Sequence, residues 1–282
     1  MSHRDQAEHR LTLRGQQSAI QHAGSQHPGF DVYRRLRDEL LGLPAPDWIG
    51  RANLLAAQRD LRSAAKVPIR FVMVQESAGA LDYEAAILHE GRIACRPRGR
   101  GALHDLHNAL VWLTFPQIKA VLNRLHLERR DARASGRGRL RDAVTLLDEN
   151  GMLWLSGAPL LDAQLLARNW RGLMVTNRNL VQEQVLPIIV GHGLLEKLAS
   201  PYKAMTAHCL VVSDLRAFDT RMAIGEIDAH VARRISNLFA AGAPPVLAPL
   251  PVLGLPGWDR ANDDPSYYED ARVFRVPHVP HA

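Results

Sequence analysis

The chain has 282 residues, 46% of them hydrophobic, with a formal charge of +6 and an isoelectric point near 9.7. That length and apolar content suffice for one large core or two small ones. No apolar run reaches the roughly 18 residues that span a bilayer, because residues 185–190 and 247–255 are short or broken by proline; no membrane partner is expected. The first residues lack the apolar stretch of a signal peptide. Cys95 and Cys209 form neither a CxxC pair nor a disulfide framework. The expected location is therefore the cytoplasm. Apart from Lys66, Lys119, Lys197 and Lys203, the positive charge is arginine. Usage typical of a GC-rich genome is the simple account, and a phosphate-rich partner is the sharper one, since Arg pairs with phosphate bidentately.

Residues 1–28 are rich in Gln, His, Arg and Ser without an apolar period, and read as a disordered tail. Residues 29–282 read as one α+β domain. Phe30, Tyr33, Leu36, Leu40 and Leu41 predict a helix ending before Pro44, and Trp48, Ala52, Leu55 and Leu61 a second, pairing as a helical hairpin. A strand is expected over 69–74. Residues 83–88 and 92–96 around Gly91, then 143–147 and 152–155 around Asn150-Gly151, read as two β-hairpins. Between them, 103–115 is apolar nearly all round and predicts a buried helix, and Pro116 starts another through Leu125. Residues 129–141 read as an exposed Arg-rich loop. Helices are expected at 160–170, 191–199 and 224–240. The five prolines of 244–256 predict an extended strap, not a regular element. The aromatic-rich end around Trp258, Tyr267, Tyr268 and Phe274 reads as a packed latch.

On the helix over 103–115, His104 and Asn108 share a face that turns apolar at Trp112 and Phe115, with Asp105 at its edge. A buried polar trio must find protein partners, water, a metal or a ligand, at a cost of about 1–3 kcal/mol per unpaired group. The plain alternative is that Asp105 caps the helix while His104 and Asn108 hold a loop. His107 points to the opposite side and reads as a surface residue. His192 and Glu196, four apart, share a helical face and suit a metal or a carboxylate-oriented imidazole. Asp148 and Glu149 read as turn formers at a hairpin tip.

Taken in order, four motifs are specific together: His104-Asp105-x-x-Asn108-Ala-Leu-Val-Trp112-x-x-Phe115-Pro116-x-x-Lys119-x-x-x-Asn123; Leu147-Asp148-Glu149-x-Gly151; Gly191-His192-x-Leu-Leu-Glu196-Lys197; and residues 251–275. Over roughly 30–276 they resemble an uncharacterised bacterial family, domain of unknown function 3025. Leu103, His107 and Gly193 depart from its pattern, where Trp, Phe and Ala are usual. The resemblance implies no activity.

Two functions compete. In the first, His104, Asp105, His192 and Glu196 hold a divalent metal, zinc, manganese or iron, and His104, Asp105, Asn108 and Glu196 carry out hydrolysis of a small phosphate- or carboxylate-bearing substrate. Lys119 and Arg275 would then bind the substrate. The adjacent His and Asp invite comparison with the HD phosphohydrolases, although the outlying His and Asp of that group have no counterpart assigned here. In the second, the arginines at 96, 98 and 100 and at 129–141 bind nucleic acid or a phosphate ligand without catalysis. A third reading makes the polar trio purely structural.

Overall fold

A computed structural model describes residues 26–42, 47–74, 83–99, 101–130, 137–213, 223–242 and 245–276. The expected tail lies outside the described residues up to 25. Its last part does not: His27 Nε2 lies 3.0 Å from the Trp258 carbonyl oxygen, tying 26–28 to the body. A 3-10 turn, Pro28–Tyr33, leads into α1 (Arg34–Leu41). Phe30, Tyr33, Leu36 and Leu40 recur at helical spacing and are buried. Helix α2 (Trp48–Gln58) begins where Asp47 accepts the Gly50 N–H at 2.8 Å.

The first expected hairpin is replaced by a different unit. Strands β1 (Arg70–Met73) and β2 (Arg92–Cys95) pair in parallel, Arg70 opposite Arg92, and α3 (Tyr83–Glu90) lies between them in the chain. Parallel pairing requires such a crossover. Glu84, Ala85 and Ala86 favour the helix. Gly91, at φ 67°, closes it by donating its N–H to the Ile87 carbonyl at 3.1 Å. That glycine terminates a helix where the sequence suggested a hairpin turn.

The second expected hairpin fails similarly. Buried α4 (Ala102–Thr114) is followed by α5 (Pro116–Arg130) and α6 (Arg137–Asn150), which absorbs 143–147. Leu140, Ala143, Val144 and Leu147 repeat at helical spacing and are all buried. The expected Arg-rich loop thus shrinks, and its central residues, 131–136, lie outside the described ones. Strand β3 (Gly151–Ser156) leaves α6 directly, buried at every position. It lies inside a four-stranded sheet of order β4-β3-β5-β6, antiparallel to β4 (Val185–Ile189) and parallel to β5 (Thr206–Val212). Burial on both faces accounts for its unbroken apolar run. Strand β6 (Leu247–Pro251) pairs antiparallel to β5 and corrects the strap. Its prolines are tolerated because an edge strand needs fewer ladder donors.

The remaining α-helices among the described residues are α7 (Pro159–Leu166), α8 (Arg178–Gln184), α9 (His192–Leu198) and α10 (Ile224–Ala240). Helix α10 packs on α5, where Asp228 accepts the Gln117 and Ile118 N–H groups at 2.9 Å each. Helix α9 packs on α4 and α6, which brings the two expected site motifs together. The buried side chains form one hydrophobic core, and the fold is α+β. No helix among the described residues is long and apolar enough to cross a membrane.

Candidate metal centre and cavity

Three chain segments converge at the first turn of α4, the last turn of α6 and the start of α9. The convergence depends on Gly191. Its backbone passes so close to the α6–β3 junction that a Cβ there would lie 2.3 Å from the Gly151 nitrogen. The Gly191 N–H donates to the Gly151 carbonyl at 2.9 Å. Only glycine permits this approach, and it sets His192 beside Asp148 and Glu149.

His104, Glu149 and His192 each offer a ligand atom, and these atoms lie within 4.8 Å of one another. His192 Nε2 is 3.5 Å from Glu149 Oε1. The two imidazoles meet edge to face at 4.6 Å between centroids. His104 Nδ1 is held 2.8 Å from Glu196 Oε2, leaving Nε2 as the nitrogen available to an ion. His192 Nδ1 is buried without a hydrogen-bond partner, 4.0 Å from Asp148 Oδ1. His104 therefore has a carboxylate bonded at Nδ1, the arrangement that orients metal-binding histidines, whereas Asp148 stands near His192 Nδ1 without bonding it. Burial, and then the nearby Lys119 charge, pushes the His192 imidazole down to about 3, which keeps the ring neutral, with one nitrogen free to bind an ion, at neutral pH. Burial and then the Asp148 charge raise the Glu149 carboxyl.

Beside this trio lies a cavity of about 410 Å³. Tyr83 and Glu84 of α3, Arg96 after β2, Asn108 and Trp112 of α4, and Lys119 and Asn123 of α5 line it together with Asp105 and Asp148. Asp148 forms a buried ion pair with Lys119, and its second oxygen lies 3.7 Å from His126 Nε2. Burial opposes the Asp148 charge, but Lys119, His126 and His192 outweigh it and hold the carboxyl well below the usual range. Burial raises Glu84, against the His126 charge and the Asn123 hydrogen bond. Asn123 Nδ2 donates to the Glu84 carbonyl at 3.0 Å and to Glu84 Oε2 at 2.5 Å. Asn108 Nδ2 donates to the Tyr83 hydroxyl at 2.9 Å. The Oδ1 atoms of Asn108 and Asn123 are both buried and without partners.

The expected site residues fall into three groups. His104, His192 and Glu196 come together, yet Glu196 turns to His104 and not to its helical neighbour His192. Asp105 lines the cavity with its carboxylate already engaged: Arg96 approaches it with Nε at 2.7 Å, Nη2 at 2.8 Å and its backbone N–H at 2.7 Å. It fastens β2 to α4, and Glu149 stands where Asp105 was expected beside the histidines. Asn108 and Lys119 line the cavity. Arg275 belongs elsewhere, in the latch, where it is exposed, its Nε donates to the Arg272 carbonyl and its own carbonyl accepts from Trp170 Nε1. His107 is buried and not on the surface, packed against Phe30 at 5.6 Å between centroids.

Sequence reasoning did not nominate Glu84, Tyr83 or His126, and it took Glu149 for a turn former. The spacing of Leu140, Val144 and Leu147 would have put Asp148 and Glu149 on the end of a helix. No curated protein and no solved structure matches the chain. A family described as "Protein of unknown function (DUF3025)" matches residues 69–278, so all the cavity motifs from β1 onward lie within the match. The chain belongs to that family.

Proposed function

We propose that the protein is a metal-dependent hydrolase of a small substrate. The observation that carries the reading is the clustering of His104, Glu149 and His192, with ligand atoms within 4.8 Å of one another on the wall of a 410 Å³ cavity. Two imidazoles and one carboxylate form a donor set suited to zinc, iron or manganese, and three protein ligands leave coordination positions for water and substrate. A bound divalent ion would supply Lewis acidity and lower the pKa of a water to near 7. Glu196 orients the His104 ring, and Asp148 stands behind His192. The cavity beside the trio is of a size that admits a small molecule.

The test uses protein purified without a polyhistidine tag, stripped with chelator and titrated with zinc, manganese or iron(II). One equivalent of metal is expected to bind and to raise the melting temperature. His104→Ala, His192→Ala and Glu149→Gln are each expected to abolish stoichiometric uptake. Neither uptake nor a thermal shift with any of the three metals would overturn the metal centre.

A further inference from the structure

The cavity holds more polar groups than a metal centre needs, and their sign is uneven. Among the described lining residues the two fixed cations are already committed, Arg96 to Asp105 and Lys119 to Asp148. Of the carboxylates that remain, Glu149 belongs to the metal trio. Glu84 has no such partner; its side chain accepts from the Asn123 amide. One further acceptor, Asn123 Oδ1, is unpaired on a side chain only 3% exposed, and Asn108, 6% exposed, bonds the Tyr83 hydroxyl through one amide atom and leaves the other open. The Asn123 orientation is fixed chemically: its Nδ2 faces a carbonyl and a carboxylate, both acceptors, so the unpaired atom must be the oxygen. An unpaired buried acceptor in a native fold calls for a donor, and none of the described residues supplies one.

We propose that this cavity recognises a small organic cation bearing several N–H donors, of amidinium, guanidinium or ammonium type, through Glu84, Asn108 and Asn123. A planar N–H fork matches a carboxylate bidentately. In the metal-free protein, phosphate and carboxylate ligands meet the opposite situation, since the guanidinium and ammonium groups of the described lining are already paired and Glu84 repels an anion. Burial raises the Glu84 carboxyl despite the His126 charge and the Asn123 hydrogen bond, and a bound cation would oppose that rise. The proposal identifies the substrate class of the hydrolase proposed above and rests on that reading for its catalytic meaning. The recognition itself requires no metal.

The test pairs two probes of equal shape and opposite charge, benzamidine and benzoate, with inorganic phosphate as a third. Each is titrated calorimetrically into metal-free and metal-loaded protein at pH 8. Benzamidine is expected to bind with 1:1 stoichiometry, at least tenfold more tightly than benzoate or phosphate. Glu84→Gln is expected to weaken benzamidine at least tenfold with metal uptake intact. Glu149→Gln should do the reverse, losing the metal and keeping benzamidine within threefold. Asn108→Leu gives a second, uncharged perturbation, expected to weaken benzamidine severalfold. Tighter binding of benzoate or phosphate to the metal-free protein, or benzamidine affinity indifferent to Glu84→Gln, overturns the proposal even if the metal binds. Absent metal uptake with benzamidine retained overturns only the hydrolase.

Discussion

The cavity and the C-terminal latch are both built from buried polar side chains, and they handle their hydrogen bonds in opposite ways. In the latch, Asn262 Nδ2 donates to the Leu253 and Leu255 carbonyls at 2.7 and 2.6 Å, and its Oδ1 accepts from Arg178 at 2.9 Å. Tyr268 donates to the Gly254 carbonyl at 2.9 Å, Tyr267 donates to Asp259 at 2.8 Å, and Lys203 sits 4.1 Å from the Tyr267 ring centroid. Each of these groups closes on the chain itself. In the cavity, Asn108, Asn123 and His192 each keep a buried atom without a partner. A closed network fixes a terminus, whereas an open one has capacity for something outside the chain.

The comparison breaks most visibly at Asn262. Replacing it by Ala removes three hydrogen bonds, each worth about 1 kcal/mol, and leaves the buried Leu253 carbonyl unpaired at a further cost of about 1–3 kcal/mol, while the Leu255 carbonyl keeps the Trp258 N–H and Arg178 keeps Asp263. Asn262→Ala is expected to lose at least about 3 kcal/mol in urea unfolding while metal uptake stays stoichiometric. A loss under about 1 kcal/mol would mean that the latch is held mainly by its aromatic packing. The matching substitution beside the cavity is Glu196→Gln, which weakens the orientation of His104. Metal affinity is expected to fall 10- to 100-fold, as for other outer carboxylates, with the unfolding midpoint of the metal-free protein little changed. Unaltered affinity would remove Glu196 from the centre.

The two regions were also unequally legible. The latch and the buried helix of 102–114 follow from local signals, Pro256-Gly257 with an aromatic cluster in one case and an apolar surface all round in the other. The positions of His104, His192 and Glu196 were legible because each stands at a helix start or one turn on. Three features were not. Glu149 was hidden because Asp-Glu-Asn-Gly resembles a hairpin turn, while the helix that precedes it begins in an Arg-rich stretch that masks its period. Glu84 was hidden because Tyr83 to Leu88 alternates weakly enough to read as a strand. The engagement of Asp105 by Arg96 joins two elements nine residues apart, and no spacing rule distinguishes a ligand carboxylate from one held by an arginine. Side-chain pairing across elements is a tertiary fact.

His107 belongs to neither network. Its Nδ1 is also buried and unpaired, but it packs on Phe30 and is absent from the cavity lining. Burial, then the charges of Arg37, His104 and His192, push its pKa from 6.5 to about 3. Between these values the unfolded chain binds more protons than the folded one, so stability falls as pH drops from 6.5 towards 3, by up to about 1.4 kcal/mol per unit. His107→Phe keeps the packing and removes the titration. The stability difference between variant and parent, measured by urea melts of metal-free protein from pH 7 to 4.5, should grow in the variant's favour on acidification. A difference that is flat with pH would mean that the folded protein protonates His107 freely.

The smallest effect is the most discriminating, because it puts the same substitution into both networks. Asn108→Leu and Asn262→Leu each replace a buried amide by an apolar side chain of similar size. At 262 the change removes three satisfied hydrogen bonds and should be nearly as costly as Ala. At 108 it removes one bond to Tyr83 and, with it, an acceptor that had no partner. Losing the bond costs about 1 kcal/mol, and losing the unpaired oxygen returns a similar amount. Asn108→Leu is therefore expected to leave stability within about 1 kcal/mol of the parent in either direction, while weakening benzamidine. A cost above about 2 kcal/mol would make Asn108 as structural as Asn262. The open acceptors of the cavity would then be part of how the helices are held, and the contrast between the two regions would disappear.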